Sequence, residues 1–177
     1  MATHLLLETH GPDDSSLVLS GHMSRENPQW RTFDPGSDVL AIFQGPHSYV
    51  SAAWYSVPSA PTWNYIAIHV YGRPRLIEDR GELYAMLKRL VDAQEERYPA
   101  QKRYRIEGLP DAVLEGMMNG VAGFEISVTR VEAAAKLSQN RSAPDHRRII
   151  EELRAEASPG SLEVALEMER PGRGSGS

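Results

Sequence analysis

Between Thr62 and Tyr71 the side chains alternate with period two. Ile66, Ile68 and Val70 fall on one side, and Trp63, Tyr65, His69 and Tyr71 on the other. That period fits a β-strand and no helix. Neither side is an ordinary solvent face, so the aliphatic side must meet a core and the aromatic side a second surface: a ligand, a partner subunit or a covering loop. The strand ends a longer stretch, Gly45 to Gly72, GPHSYVSAAWYSVPSAPTWNYIAIHVYG, which reads as strand, proline-rich loop, strand.

Thr3 to Glu8 and Ser15 to Met23 pattern as two strands joined by a turn at His10-Gly11-Pro12-Asp13-Asp14. Ser24 to Arg31 holds a proline and reads as a turn or short helix. Asp38 to Phe43 is apolar without alternation, the pattern of a strand covered on both faces, with Gly45-Pro46 expected to end it. Arg73 to Ile77 extends the central strand past a bulge at Gly72 and Pro74. Asp79 and Glu82 form a D-x-x-E capping box, and Leu83, Met86, Leu87, Leu90 and Val91 then repeat at helical spacing up to the closing Pro99. A shorter helix is predicted over Asp111 to Met118, a strand over Val121 to Val131, a helix started by Ser142 and Asp145 and running through Arg154, and a last helix over Ser161 to Arg170. Several strands with helices inserted late imply a mainly β fold with packed helices, a small barrel with helices outside it.

Composition excludes several functions. With 177 residues and 41% hydrophobic residues the chain can bury one good core, and a single domain is expected. There is no cysteine, so disulfides, thiolate metal sites and a cysteine nucleophile are excluded, and the cytoplasm is the expected compartment. No run approaches a membrane span and no signal peptide opens the chain, so a soluble protein is expected. A net charge of −5 opposes general nucleic-acid binding, which rewards a basic surface. His47 and His69 lie among aromatics, yet no histidine pair has the spacing of a metal-binding helix or hairpin, and no metal site is expected.

Four ordered segments are more specific: GHMSRENPQW (Gly21 to Trp30), GPHSYVSAAWY (Gly45 to Tyr55), PTWNYIAIHVYG (Pro61 to Gly72) and KLSQNR (Lys136 to Arg141). Together they resemble the PaiB-type family of FMN-binding negative transcriptional regulators, over roughly Ala2 to Leu153. The resemblance implies the flavin-binding split β-barrel shared with pyridoxine phosphate oxidases, residues 1–156 forming the barrel domain; beyond it the residue pattern predicts 157–170 as a C-terminal helix and 171–177 as a flexible tail. It also implies a homodimer with an FMN-type pocket lined by both subunits. Family members begin about one helix and one strand before the ATHL segment, which leaves open whether the first barrel strand is present here. Where the family carries a Gly-Lys-aromatic run, this chain has Ala133-Ala134-Ala135.

FMN presents a near-dianionic phosphate, which calls for cationic or hydroxyl donors, and a flat ring, which calls for a slot. On the resemblance, His22, Arg25 and Lys136 stand near the phosphate with Ser51 beside them. Trp30, Trp54, Gln139, Asn140 and Arg141 surround the ring or ribityl chain, and Asn27 is counted among the cofactor-binding residues. Plainer roles compete at several of these positions: tryptophans as core or dimer contacts, asparagines as turn formers and caps, Lys136 and Arg141 as solvated cations. Three functions remain open: an FMN-binding regulator whose DNA partner rests on the family label alone, a flavin-dependent oxidoreductase or haem-binding relative, and a dimeric scaffold that has lost its cofactor.

Overall fold

The computed structural model describes residues 3–10 and 16–170. The turn expected at His10 to Asp14 falls almost wholly outside them, and the tail at 171–177 lies outside. Five strands, β1 (Leu5–His10), β2 (Ser16–Ser24), β3 (Val39–Val50), β4 (Thr62–Ile77) and β5 (Val121–Lys136), form one sheet in the order β1-β2-β5-β4-β3. Four helices accompany it: α1 (Arg80–Glu95), α2 (Asp111–Asn119), α3 (Ala143–Glu156) and α4 (Pro159–Glu169). Contacts divide the chain into two compact units, Met1–Leu40 with Tyr71–Arg130, and Ala41–Val70 with Val131–Ser177.

In the first unit β1 pairs antiparallel with β2, Leu5 opposite Gly21 through His10 opposite Ser16, and β2 pairs antiparallel with β5, Val18 opposite Ser127 through Ser24 opposite Val121. The capping box forms as the residue pattern requires: the Asp79 carboxylate accepts from the Glu82 N–H at 2.8 Å and starts α1. Leu83 and Met86 on that helix pack against Ile77 and Met118, with Leu87, Leu90 and Leu114 half-covered around them. On β5, Phe124 and Ile126 are buried while Ser127 and Thr129 are exposed, and Phe33 meets Phe124 edge-on at 5.2 Å. Gly72 is dictated by this packing, because a Cβ there would lie 2.4 Å from the Ser127 carbonyl oxygen.

In the second unit α3 and α4 pack over Val50, Tyr55 and Leu137, with Ile149, Leu153, Val164 and Met168 fully or almost fully buried. Ser142 caps α3 by accepting from the Asp145 N–H, and Ser158 caps α4 by accepting from Ser161. Helix α3 closes at Ala157, which takes the left-handed conformation, φ 55°.

The structure departs from expectation along β3. Gly45-Pro46 does not end this strand, which continues to Val50. Proline lacks an N–H to give a ladder, but β3 lies at the edge of the sheet and one side of it needs no donor. Nor is the strand covered on both faces in the single chain, since Leu40, Ile42 and Phe43 are exposed. The central strand β4 runs without a break through Gly72 and Pro74 to Ile77.

Candidate functional site

The expected site residues divide between the units. His22, Arg25, Asn27 and Trp30 belong to the first, and Ser51, Trp54, Lys136, Gln139, Asn140 and Arg141 to the second.

In the first unit the segment after β2 folds back on itself. Asn27 caps a 3-10 turn, Pro28–Thr32, by accepting from the Gln29 N–H at 3.0 Å. The Trp30 indole N–H donates to the Arg25 carbonyl at 3.0 Å, and the guanidinium groups of Arg25 and Arg31 lie 5.7 and 5.2 Å from the indole centre. Arg25 and Trp30 open onto a cleft of about 270 Å³ whose other walls are Leu76, Ile77, Glu78, Ala122 and Gly123. His22 does not join them. It faces a separate cleft of about 230 Å³ with Thr3, His4, Leu90 and Gln94, and its enclosed Nδ1 has no partner among the described residues. Burial, with the nearby His4 adding to it, pushes the His22 imidazole below its ordinary pKa.

In the second unit the KLSQNR segment is a tight bend rather than a tail of free side chains. Ser138 sits in the left-handed region, φ 58°, and its hydroxyl donates to Asn64 Oδ1 at 3.0 Å inside the core. Gln139 folds back, accepting from the Leu137 N–H and donating to the Ala135 carbonyl, each at 2.7 Å. The Lys136 ammonium donates to the Thr62 hydroxyl. Arg141 spreads its guanidinium over the Tyr55 ring at 4.0 Å, and Asn140 is exposed. Ser51 caps the 3-10 turn Ala52–Trp54, and Trp54 packs half-buried against the core.

Three residues beside this bend were not singled out as site residues. Tyr55 and His146 are buried, and among the described residues neither the Tyr55 hydroxyl nor His146 Nε2 has a partner. Burial holds the His146 imidazole below its ordinary pKa, against a hydrogen bond to the Leu137 backbone that pulls the other way. Asp145 accepts from the Ser56 N–H at 2.9 Å and the Ser56 hydroxyl at 3.1 Å, and the first of these bonds leads in holding its carboxyl below the usual carboxylate range. Tyr55 closes the GPHSYVSAAWY motif, and Asp145 lies in the first turn of α3. Nothing in the local pattern marks an orphaned hydroxyl, which becomes visible only once the packing is known.

The second unit also carries the aromatic face. Trp63 is 53% exposed and lies 5.9 Å from Tyr49 and 6.2 Å from His47, ring to ring, while Ile42 is 62% exposed. Between Asp38 and Arg73 the chain has no Lys, Arg, Asp or Glu, although such residues make up 24% of the whole.

A mainly β sheet with helices packed beside it is the class to which the flavin-binding split barrels belong. The family model described as "Putative FMN-binding domain" matches residues 1–130, and the chain belongs to that family. It is 40% identical over 169 residues to the protease synthase and sporulation protein PAI 2 of Bacillus subtilis, covering 96% of this chain and 80% of the relative. The PaiB-type resemblance carried by the four motifs is thereby borne out. It is also 34% identical over 99 residues to an uncharacterized protein of Saccharomyces cerevisiae, covering 52% of this chain and 59% of the relative. Among solved structures, the flavocytochrome Anf3 of Azotobacter vinelandii aligns at 15% identity with a TM-score of 0.47, over 76% of this chain and 54% of that one. Among the described residues no helix is long and apolar enough to cross a membrane.

Proposed function

We propose that the protein is a cytoplasmic, homodimeric FMN-binding protein with a role as a negative transcriptional regulator. The observation that carries the reading is the state of the cations in the family motifs. Arg25, Lys136 and Arg141 have no carboxylate partner among the described residues, in a chain where acidic residues outnumber basic ones by 24 to 19. Arg25 over Trp30 in the first unit, and Arg141 over Tyr55 in the second, are cation and ring combinations that suit an anionic, flat ligand. In the second unit the fit extends to hydroxyl chemistry, because the buried Tyr55 hydroxyl has no partner among the described residues. Homodimerisation is supported by the uncharged stretch with its exposed Ile42, Tyr49, Trp63 and Tyr65, which a second copy of the chain would cover.

The test is a flavin titration on untagged protein, followed by fluorescence quenching and by the visible spectrum. FMN is expected to bind, and Arg141→Ala to weaken it about tenfold or more, since a charge-assisted hydrogen bond is worth roughly 1.5–3 kcal/mol. Arg25→Ala and Lys136→Ala separate the contributions of the two motifs. A colourless protein whose fluorescence does not respond to FMN overturns the reading. Sedimentation of wild type and Trp63→Glu tests the dimer, and a gel shift on promoter DNA tests the regulatory role.

A further inference from the structure

We propose that His4 and His22 form a two-imidazole site for a borderline divalent cation, Zn²⁺ in the first instance, at the open end of the β1-β2 ribbon. The two residues are far apart in sequence, and only the strand register brings them together. Leu5 is paired with Gly21, so one step outward along this antiparallel ladder sets His4 opposite His22. Thr3 fixes the approach by donating its hydroxyl to the His22 carbonyl at 3.1 Å. Gly21 permits it, since a Cβ there would meet Leu5 Cδ2 at 2.7 Å and the His4 carbonyl oxygen at 3.2 Å. Residues directly opposite on one face of an antiparallel pair have Cβ atoms about 4.5–5.5 Å apart. From that separation two imidazoles can each place a nitrogen about 2.0–2.1 Å from one ion.

Both side chains line the same cleft of about 230 Å³, whose remaining walls are Thr3, Leu90 and Gln94. The His22 Nδ1 is enclosed without a partner, which in a satisfied core histidine would be a wasted hydrogen bond. The helix residues that wall the cleft, Leu90 and Gln94, are uncharged, and the nearby Arg89 is neutralised by Glu8 at 2.7 Å, so no free cation of α1 opposes an incoming metal. Imidazole nitrogen selects Zn²⁺, Ni²⁺ or Cu²⁺ over Mg²⁺ and Ca²⁺. No third histidine or carboxylate completes the set among the described residues, so the other positions fall to solvent and to the Gln94 amide, and binding is reversible.

The experiment is calorimetric titration of the untagged full chain with ZnCl₂ and, in parallel, MgCl₂. One equivalent of Zn²⁺ is expected to bind and Mg²⁺ to give no heat. His4→Ala is the deciding variant because His4 is exposed and its loss leaves the core intact. Removing either of two ligands is expected to weaken Zn²⁺ by about tenfold or more. His69→Ala is expected to leave the affinity unchanged. Imidazole ¹⁵N spectra supply a readout that does not depend on variants, with Zn²⁺ shifting the ring nitrogens of His4 and His22 together. A folded His4→Ala protein that binds Zn²⁺ as wild type does, or Zn²⁺ shifts confined to other histidines, overturns the site.

Discussion

The two units hold their polar groups together in different ways. In the first, charge is paired on the surface: Arg75 bridges Glu82 and Glu125, Arg80 meets Glu115, Lys88 meets Asp92 and Glu107, and Arg73 meets Asp38. In the second, the key links are neutral or single-charge bonds buried under the helices, Ser138 to Asn64 to Met168 and Asp145 to Ser56. Its helices carry the surface pairs Arg154–Glu169 and Arg170–Glu167, while its strand surface exposes Ile42, Tyr49, Trp63 and Tyr65. A surface dressed in paired charge is finished as it stands. One that exposes Ile42 and Trp63 while its polar bonds are spent inside is finished only by something that covers it.

The units should behave alike where each rests on its packed core. Met86 and Leu153, in the first and second cores respectively, are both fully buried. Each change to alanine leaves a cavity and is expected to cost about 2–5 kcal/mol in urea unfolding. A much smaller loss for Leu153→Ala would mean that the second unit is not held by its own core, and the contrast drawn above would fail. The next effect belongs to the second unit alone. Asn64→Leu removes the acceptor of the buried Ser138 hydroxyl and is expected to cost about 1–3 kcal/mol, the desolvation penalty of an orphaned polar group. Restoring apolar balance with Asn64→Leu/Ser138→Ala should recover much of it, which a purely steric defect would not do.

What could be read in advance follows from how local each cause is. The capping pairs Asp79/Glu82 and Ser142/Asp145 lie three residues apart, and both were legible because a cap is a contact between near neighbours. Strand alternation correctly put Val70 inward and Trp63 and Tyr65 outward on β4, but of the aliphatic side Ile66 is only half-buried and Ile68 is exposed, so that side meets a core only in part. The passage of β3 through Gly45-Pro46 was not legible, since whether proline ends a strand depends on its place in the sheet. The left-handed turn at Ser138 and the facing of His4 and His22 were hidden for the same reason. Each is fixed by a partner distant in sequence, and periodicity within one segment carries no record of it.

The smallest effects come from two carboxylates, and they separate the two kinds of polar bond. Glu82 is held below its ordinary pKa chiefly by the hydrogen bond from Arg75, and Asp145 chiefly by the backbone N–H of Ser56. A depressed folded-state pKa gives stability that is complete above the unfolded value, about 4, and is lost as pH falls through the folded value. Both Glu82→Gln and Asp145→Asn should therefore flatten the acid limb of the stability curve below about pH 4 and change little near neutrality in its slope. Salt then divides them. The Arg75–Glu82 pair is largely exposed and worth within about 1 kcal/mol, so at 1 M salt, where screening acts over about 3 Å, the difference between wild type and Glu82→Gln should nearly vanish. Asp145 is bonded to a backbone N–H and a hydroxyl in a buried position, with no cation as its main partner, so the Asp145→Asn difference should persist in the same salt. Equal salt sensitivity in the two variants would erase the distinction between a unit held by surface charge and one held by enclosed dipoles.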